Sequence, residues 1–160
     1  MKVVDTREYV SVLRDLTEEG HDVNMLIAGS SMSPFLAHQR DYIYFSKPNS
    51  PIRPGDMVFY QRDTGQFVMH RVCKVYKGQG ANGEDIYDII GDAQLDIEHG
   101  IRRDQIFARV NHVQRKGKMI YPGDFWWEFF EKVWIRVIPL RRVFVKGYSV
   151  IYRLKNILHR

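Results

Sequence analysis

Apolar residues change their spacing twice along this chain, and each change marks a new kind of element. Val10, Leu13 and Leu16 recur at helical intervals, with Asp5 or Thr6 able to cap the start and Gly20 placed to end it, which predicts a helix over residues 6–19. Short apolar runs follow: Met25 to Ala28, Tyr42 to Phe45, Met57 to Tyr60, Phe67 to Met69, Ile86 to Ile90 and Ile106 to Val110. Turn residues separate them, in Pro48-Asn49-Ser50-Pro51, Pro54-Gly55-Asp56, Asp63-Thr64-Gly65, Gly78 to Gly83 and Arg115-Lys116-Gly117-Lys118. Strands of this length at this spacing predict a compact, mainly β domain built from antiparallel neighbours. After Tyr121-Pro122-Gly123-Asp124 the helical interval returns, with Phe130, Val133, Trp134, Val137 and Ile138 forming one apolar side. Pro139 is expected to break or kink that tail and to leave a second helical piece over about 142–158. The chain thus divides into an N-terminal helix (1–22), a β domain (23–122) and a helical tail (123–160).

Charge sharpens this division. The net charge of +5 is unevenly distributed: residues 1–124 carry 16 Lys and Arg against 17 Asp and Glu, whereas residues 125–160 carry 8 against 2 and hold all three tryptophans. An aromatic, basic tail of this kind suits a membrane interface, aromatics inward and cations toward anionic head groups; it equally suits packing across the β domain with a wet basic face. Nucleic acid fits less well, since bulky residues this crowded suggest burial rather than base stacking. No run approaches the ~20 apolar residues of a membrane span, and the charged start lacks the apolar core of a secretory signal. A cytoplasmic protein is expected, with contact at the cytosolic membrane face as an extension.

A single cysteine, Cys73, allows no internal disulfide and no thiolate zinc site, and is expected to be a small buried residue. His21, His38, His99, His112 and His159 show no metal-ligand spacing, so neither metal nor cofactor is expected. Chemistry concentrates instead in three ordered pieces. Gly29-Ser30-Ser31-Met32-Ser33-Pro34 offers a nucleophile, His70 in Met69-His70-Arg71-Val72 offers a base, and Asp92 in Gly91-Asp92-Ala93 offers an acid to orient that base. Each piece has a plainer use. Ser31 or Ser33 can cap a helix with Pro34 in its first turn, His70 can be a satisfied core histidine, and Asp92 can be a turn residue.

With Pro54-Gly55-Asp56-Met57-Val58 between the first two, these motifs resemble the signal peptidase I superfamily, which includes the self-cleaving LexA-type repressors. The resemblance runs from about Ile27 to Val110. It implies a coiled antiparallel β-sheet domain of the signal peptidase/LexA-like kind and a serine endopeptidase that cleaves a precursor or leader peptide. Ser31 would be the nucleophile, His70 the general base and Asp92 the orienting acid, with Asp96, or else Glu98, as a further acidic candidate. Histidine at the base position matches the endoplasmic-reticulum and sporulation-type branch rather than the lysine-using one. A LexA-type repressor is the poorer match, because residues 1–24 are too few for a DNA-reading domain. The oxyanion site would draw on the Ser31 N–H, within a motif of Ser30, Ser31, Met32 and Pro34. Gly29 departs from the family, which commonly has a hydroxyl residue there. The expected partner is a peptide or protein substrate, with an anionic membrane surface as a second partner through residues 125–160. The competing expectation is a regulatory or binding module that keeps the fold with little or no turnover.

Overall fold

The computed structural model describes residues 6–141 and 143. Helix α1 (Thr6–Glu18) buries Val10, Leu13 and Thr17 and stops where Gly20, at φ +92°, lets the chain reverse. Eight strands follow: β1 (Val23–Leu26), β2 (Tyr42–Ser46), β3 (Met57–Gln61), β4 (Phe67–Tyr76), β5 (Ile86–Ile90), β6 (Glu98–Arg102), β7 (Ile106–Arg115) and β8 (Lys118–Ile120). All pairings are antiparallel, in the order β1-β2-β7-β3-β4-β5-β6, with β8 returning onto β7. The mainly β architecture expected from the apolar runs is what the chain adopts. The two-residue loop between β7 and β8, Lys116 and Gly117, has positive φ at both positions, the geometry that matches the right-handed twist of the strands it joins.

Two strands escape the apolar pattern. β6 (Glu-His-Gly-Ile-Arg) has a single buried side chain, Ile101, and β8 buries only Ile120, so neither shows an apolar run. β4 extends well past the expected Met69, because its polar His70 and Arg71 are ladder residues with buried partners rather than a turn.

The sheet is covered on both faces, which is why β3 reads as a continuous buried run. Alternation sends Met57 and Phe59 into the larger core, with α1, Phe35, Leu36, Trp127 and Phe130. Val58 and Tyr60 enter a smaller core with Val72, Tyr87, Ile89 and Ile106. The helix and the start of the tail share the larger core with the sheet, so the three spans read from the sequence are parts of one packed body.

The tail departs from its expected geometry. α2 (Phe125–Glu128) runs into a π-turn (Phe129–Val133) and then a 3₁₀ turn (Trp134–Val137), before helix resumes at Ile138. The wider π-turn shifts the phase, so Trp127, Phe130 and Ile135 are buried whereas Val133, expected on the apolar side, is exposed. Pro139 does not end the helical path, for it lies at the start of a new stretch where its missing N–H is not needed. Apart from Val143, the helix expected over 142–158 lies outside the described residues. Among those residues no helix is long and apolar enough to cross a membrane. The phase shift makes a sharp contrast: Phe130→Ala should cost ~3–5 kcal/mol of unfolding free energy, and Val133→Ala less than ~1 kcal/mol, by urea denaturation.

Candidate active site

The loop after β1 presents Ser31. Met32, Phe35 and Leu36 are sunk in the larger core and fasten the loop from below, while backbone bonds from Ser33 N–H to Ser30 O and Leu36 N–H to Met32 O coil it tightly. Gly29 holds φ at +90°, a region L-residues rarely adopt, and its N–H donates to His38 Nδ1 at 2.8 Å. Glycine at this position is therefore required by the path of this loop. Ser31 is half-buried, and neither its N–H nor its hydroxyl has a hydrogen-bond partner among the described residues. Ser30 is exposed. Pro34 is exposed too, and its carbonyl accepts from Arg115.

His70 enters from β4 on the face of the smaller core, 4% exposed, opposite Val58 in the ladder. Tyr60, two residues along β3 on the same face, brings its hydroxyl to 3.4 Å from His70 Nδ1. Burial pushes the imidazole down to about 4; the Glu98 carboxylate opposes that shift and the Arg62 guanidinium adds to it. The ring is thus neutral and proton-accepting at physiological pH. Glu98, on β6, takes a close ion pair from Arg62 at 2.6 Å.

Asp92 is not the orienting acid for His70. Its carboxylate accepts from Arg71 Nε and Nη2, both at 2.9 Å, with both side chains essentially fully buried. Arg71 follows His70 on the same strand, and successive side chains on a strand point to opposite faces, so this pair lies across the sheet from the imidazole. Asp96 is exposed and makes no hydrogen bond or ion pair among the described residues. The acid expected from the motif to orient His70 is instead paired with Arg71.

Asp92 nevertheless reaches the Ser31 loop through its backbone. Its turn seats Ser31: Ala93 N–H donates to Ser31 O at 2.9 Å, and a Cβ on Gly91 would stand 2.7 Å from that same oxygen. Gly91 is glycine because the two backbones touch. The tail grips the other side of this turn, with Trp134 Nε1 donating to Asp92 O at 2.9 Å and Arg141 Nη1 to Gly91 O at 3.1 Å. These tail contacts had no signal in the sequence beyond the aromatic and basic composition.

Ser31 and His70 line one cavity of about 300 Å³, with an apolar wall that includes Met32, Phe59 and Met69 and with Arg62 and Gln94 at its polar side. No hydrogen bond joins Ser31 Oγ to His70 here. The cavity runs beside residues 66–70 of the β4 edge. Val72 exchanges backbone bonds with Asp56 and Gly55 on the β3 side, so alternation turns the peptide groups of Phe67 and Met69 the other way. On that side β5 begins its pairing only at Arg71, leaving a short unpaired edge. Cys73 is half-buried at a bulge in β4, its thiol donating to Asp88 O and pushed up to about 11 by burial first and the Asp88 carboxylate second. Among the described residues no cluster of three or more His, Cys, Asp and Glu side chains is placed to hold a metal ion.

In comparisons with known proteins, no family model matches the chain, and no curated protein matches it. The buried ion pair sets a clear expectation. Asp92→Asn leaves Arg71 buried without a counter-charge and should cost ~3–5 kcal/mol of stability in chemical denaturation.

Proposed function

We propose that this chain is a serine endopeptidase of signal-peptidase type that cleaves a precursor or leader peptide. The observation that carries the reading is a serine with a free hydroxyl and a neutral, buried histidine on the wall of the same cavity, beside an unpaired strand edge. An extended peptide pairs with the Phe67–Met69 edge as an added strand, which brings a backbone carbonyl toward Ser31 while small neighbouring side chains enter the apolar cavity. Ser31 Oγ attacks the carbonyl carbon as His70 takes its proton. His70 then returns that proton to the leaving amine, forming an acyl-enzyme that a water molecule, deprotonated by the same imidazole, hydrolyses. The Ser31 N–H donates to the oxyanion. The setting this reading implies is cytoplasmic, at or near the cytosolic face of a membrane.

A second reading, a binding module with little or no turnover, draws on the missing Ser31–His70 hydrogen bond, although such contacts commonly tighten only with substrate bound. Candidate precursor peptides incubated with the protein and followed by mass spectrometry separate the two. Cleavage should vanish in Ser31→Ala, and wild type and variant giving the same products would favour the binding module. Because His70, flanked by Tyr60, Glu98 and Arg62, titrates near 4, kcat/KM should stay level from pH 8 to about pH 5 and fall as protonation removes the base. A break near the ordinary value of 6.5 would mean that the ring is solvated in the working protein.

The second partner we propose is an anionic membrane surface. Exposed Phe125 and Trp126 support it, together with Arg115 over the Trp126 ring and the exposed Lys116, Lys118 and Lys132. Truncation at Asp124 would strip Trp127 and Phe130 from the core, so point variants are the appropriate probe. Binding to phosphatidylserine vesicles should be weakened by salt and by Phe125→Ser with Trp126→Ser; unchanged binding in the double variant would remove these residues from the interface.

A further inference from the structure

A catalytic imidazole needs its tautomer fixed, and the hydrogen bond at one ring nitrogen decides which nitrogen is free for chemistry. With Asp92 committed to Arg71, that bond must come from elsewhere. At His70 it comes from Tyr60, whose hydroxyl stands 3.4 Å from Nδ1 and whose side chain is fully buried. A buried phenol between two groups can accept from one and donate to the other. Near it lies Glu98, whose carboxylate, together with the Arg62 guanidinium, acts electrostatically on the hydroxyl. Glu98 is itself fixed by Arg62, with Nε donating to Oε1 at 2.8 Å and to Oε2 at 3.2 Å. Three strands converge to build this chain. Tyr60 comes from β3, His70 from β4, and Glu98 from the β6 strand that pairs at Ile89.

We propose that Tyr60 and Glu98 are positioning residues for His70: Tyr60 Oη accepts the Nδ1–H and donates its own hydrogen to the Glu98 carboxylate, leaving Nε2 unprotonated to take the Ser31 proton. Direction runs one way along this relay, because an ionised carboxylate can only accept. If Glu98 accepts from the phenol, the phenolic oxygen is left as acceptor for the ring nitrogen. Burial, the largest influence, and then the Glu98 carboxylate raise the Tyr60 pKa, so the hydroxyl keeps its proton throughout the working range. No proton need leave the relay during turnover. Tyr60 and Glu98 hold the ring and its tautomer, and the imidazolium that forms is stabilised through the polarised phenol rather than by a carboxylate in direct contact. The catalytic part of this assignment rests on the peptidase reading, whereas the tautomer rests on the Tyr60–His70 contact and on the Glu98 charge beside the phenol.

The test is imidazole ¹⁵N NMR on the full-length protein, with the His70 signals identified by their loss in His70→Gln. Wild type should show a protonated, pyrrole-type Nδ1 and a pyridine-type Nε2. Tyr60→Phe, which keeps the ring volume, should shift His70 toward the Nε2–H form, and Glu98→Gln should do so in part. In parallel, Tyr60→Phe should lower kcat by ~10²-fold with little change in KM on a cleaved peptide. An Nε2–H tautomer in wild type, or a tautomer untouched by both variants, overturns the proposal. If Tyr60→Phe fails to fold, Glu98→Gln decides, since its side chain is partly exposed. Should wild type cleave nothing while the tautomer responds as expected, the peptidase reading fails and the relay stands. Should cleavage be robust and the tautomer indifferent, only the relay fails.

Discussion

The ion pair between Arg71 and Asp92 is the constraint on which the rest of this protein depends. Taking both charges out of water costs several kcal/mol each, and the cost is offset because the guanidinium and carboxylate meet in a two-pronged geometry. Arg71 also donates to Gly55 O at 2.8 Å and lies over the Phe35 ring, so it ties β4 both to the β3 entry and to the Ser31 loop. Asp92 in turn fixes the Gly91–Gln94 turn. That turn is a polar joint between three parts that also share the larger core: the sheet, the Ser31 loop and the tail.

The tail's grip on this joint explains its chemistry better than surface contact alone. Arg141 is 2% exposed, surrounded by the carbonyls of Gly91, Gln94 and Trp134, and stacked on the Trp134 ring. Burial, the first influence, and the neighbouring Arg71 guanidinium lower its pKa, while Asp92 raises it, and its Nε has no partner among the described residues. Such a residue is expensive to bury and orders the turn in return. The basic tail is therefore partly internal, with Trp127, Phe130 and Arg141 inward and Phe125 and Trp126 outward.

Structure and chemistry are divided between the two faces of one strand. Arg71 and Asp92 scaffold the face of the larger core, and the Tyr60–His70 contact lies on the other. Strand alternation makes this division unavoidable, because neighbours in sequence cannot share a face. It also leaves His70 in an environment with one weak polar contact and extensive burial. The ring is neutral for that reason.

Much of this was legible in the residues. Alternating apolar runs and turn residues located six strands and the first helix, because burial on a sheet face leaves a period-two signature. β6 and β8 were illegible, since an edge strand held by backbone bonds needs few apolar side chains. Ser31 and His70 were legible as chemistry-bearing residues in a motif, and cavity geometry brings them onto a common wall. Asp92 was legible as an acid in a motif and not as the partner of Arg71, because facing depends on register. Tyr60 carried no local signal at all. By itself the sequence determined the elements, the loop that bears Ser31 and the strand that bears His70, since these follow from local pattern. Which acid meets which base, where the tail lies and what orients the imidazole were decided only by tertiary structure, because they depend on side chains from β3, β4 and β6 meeting across the sheet.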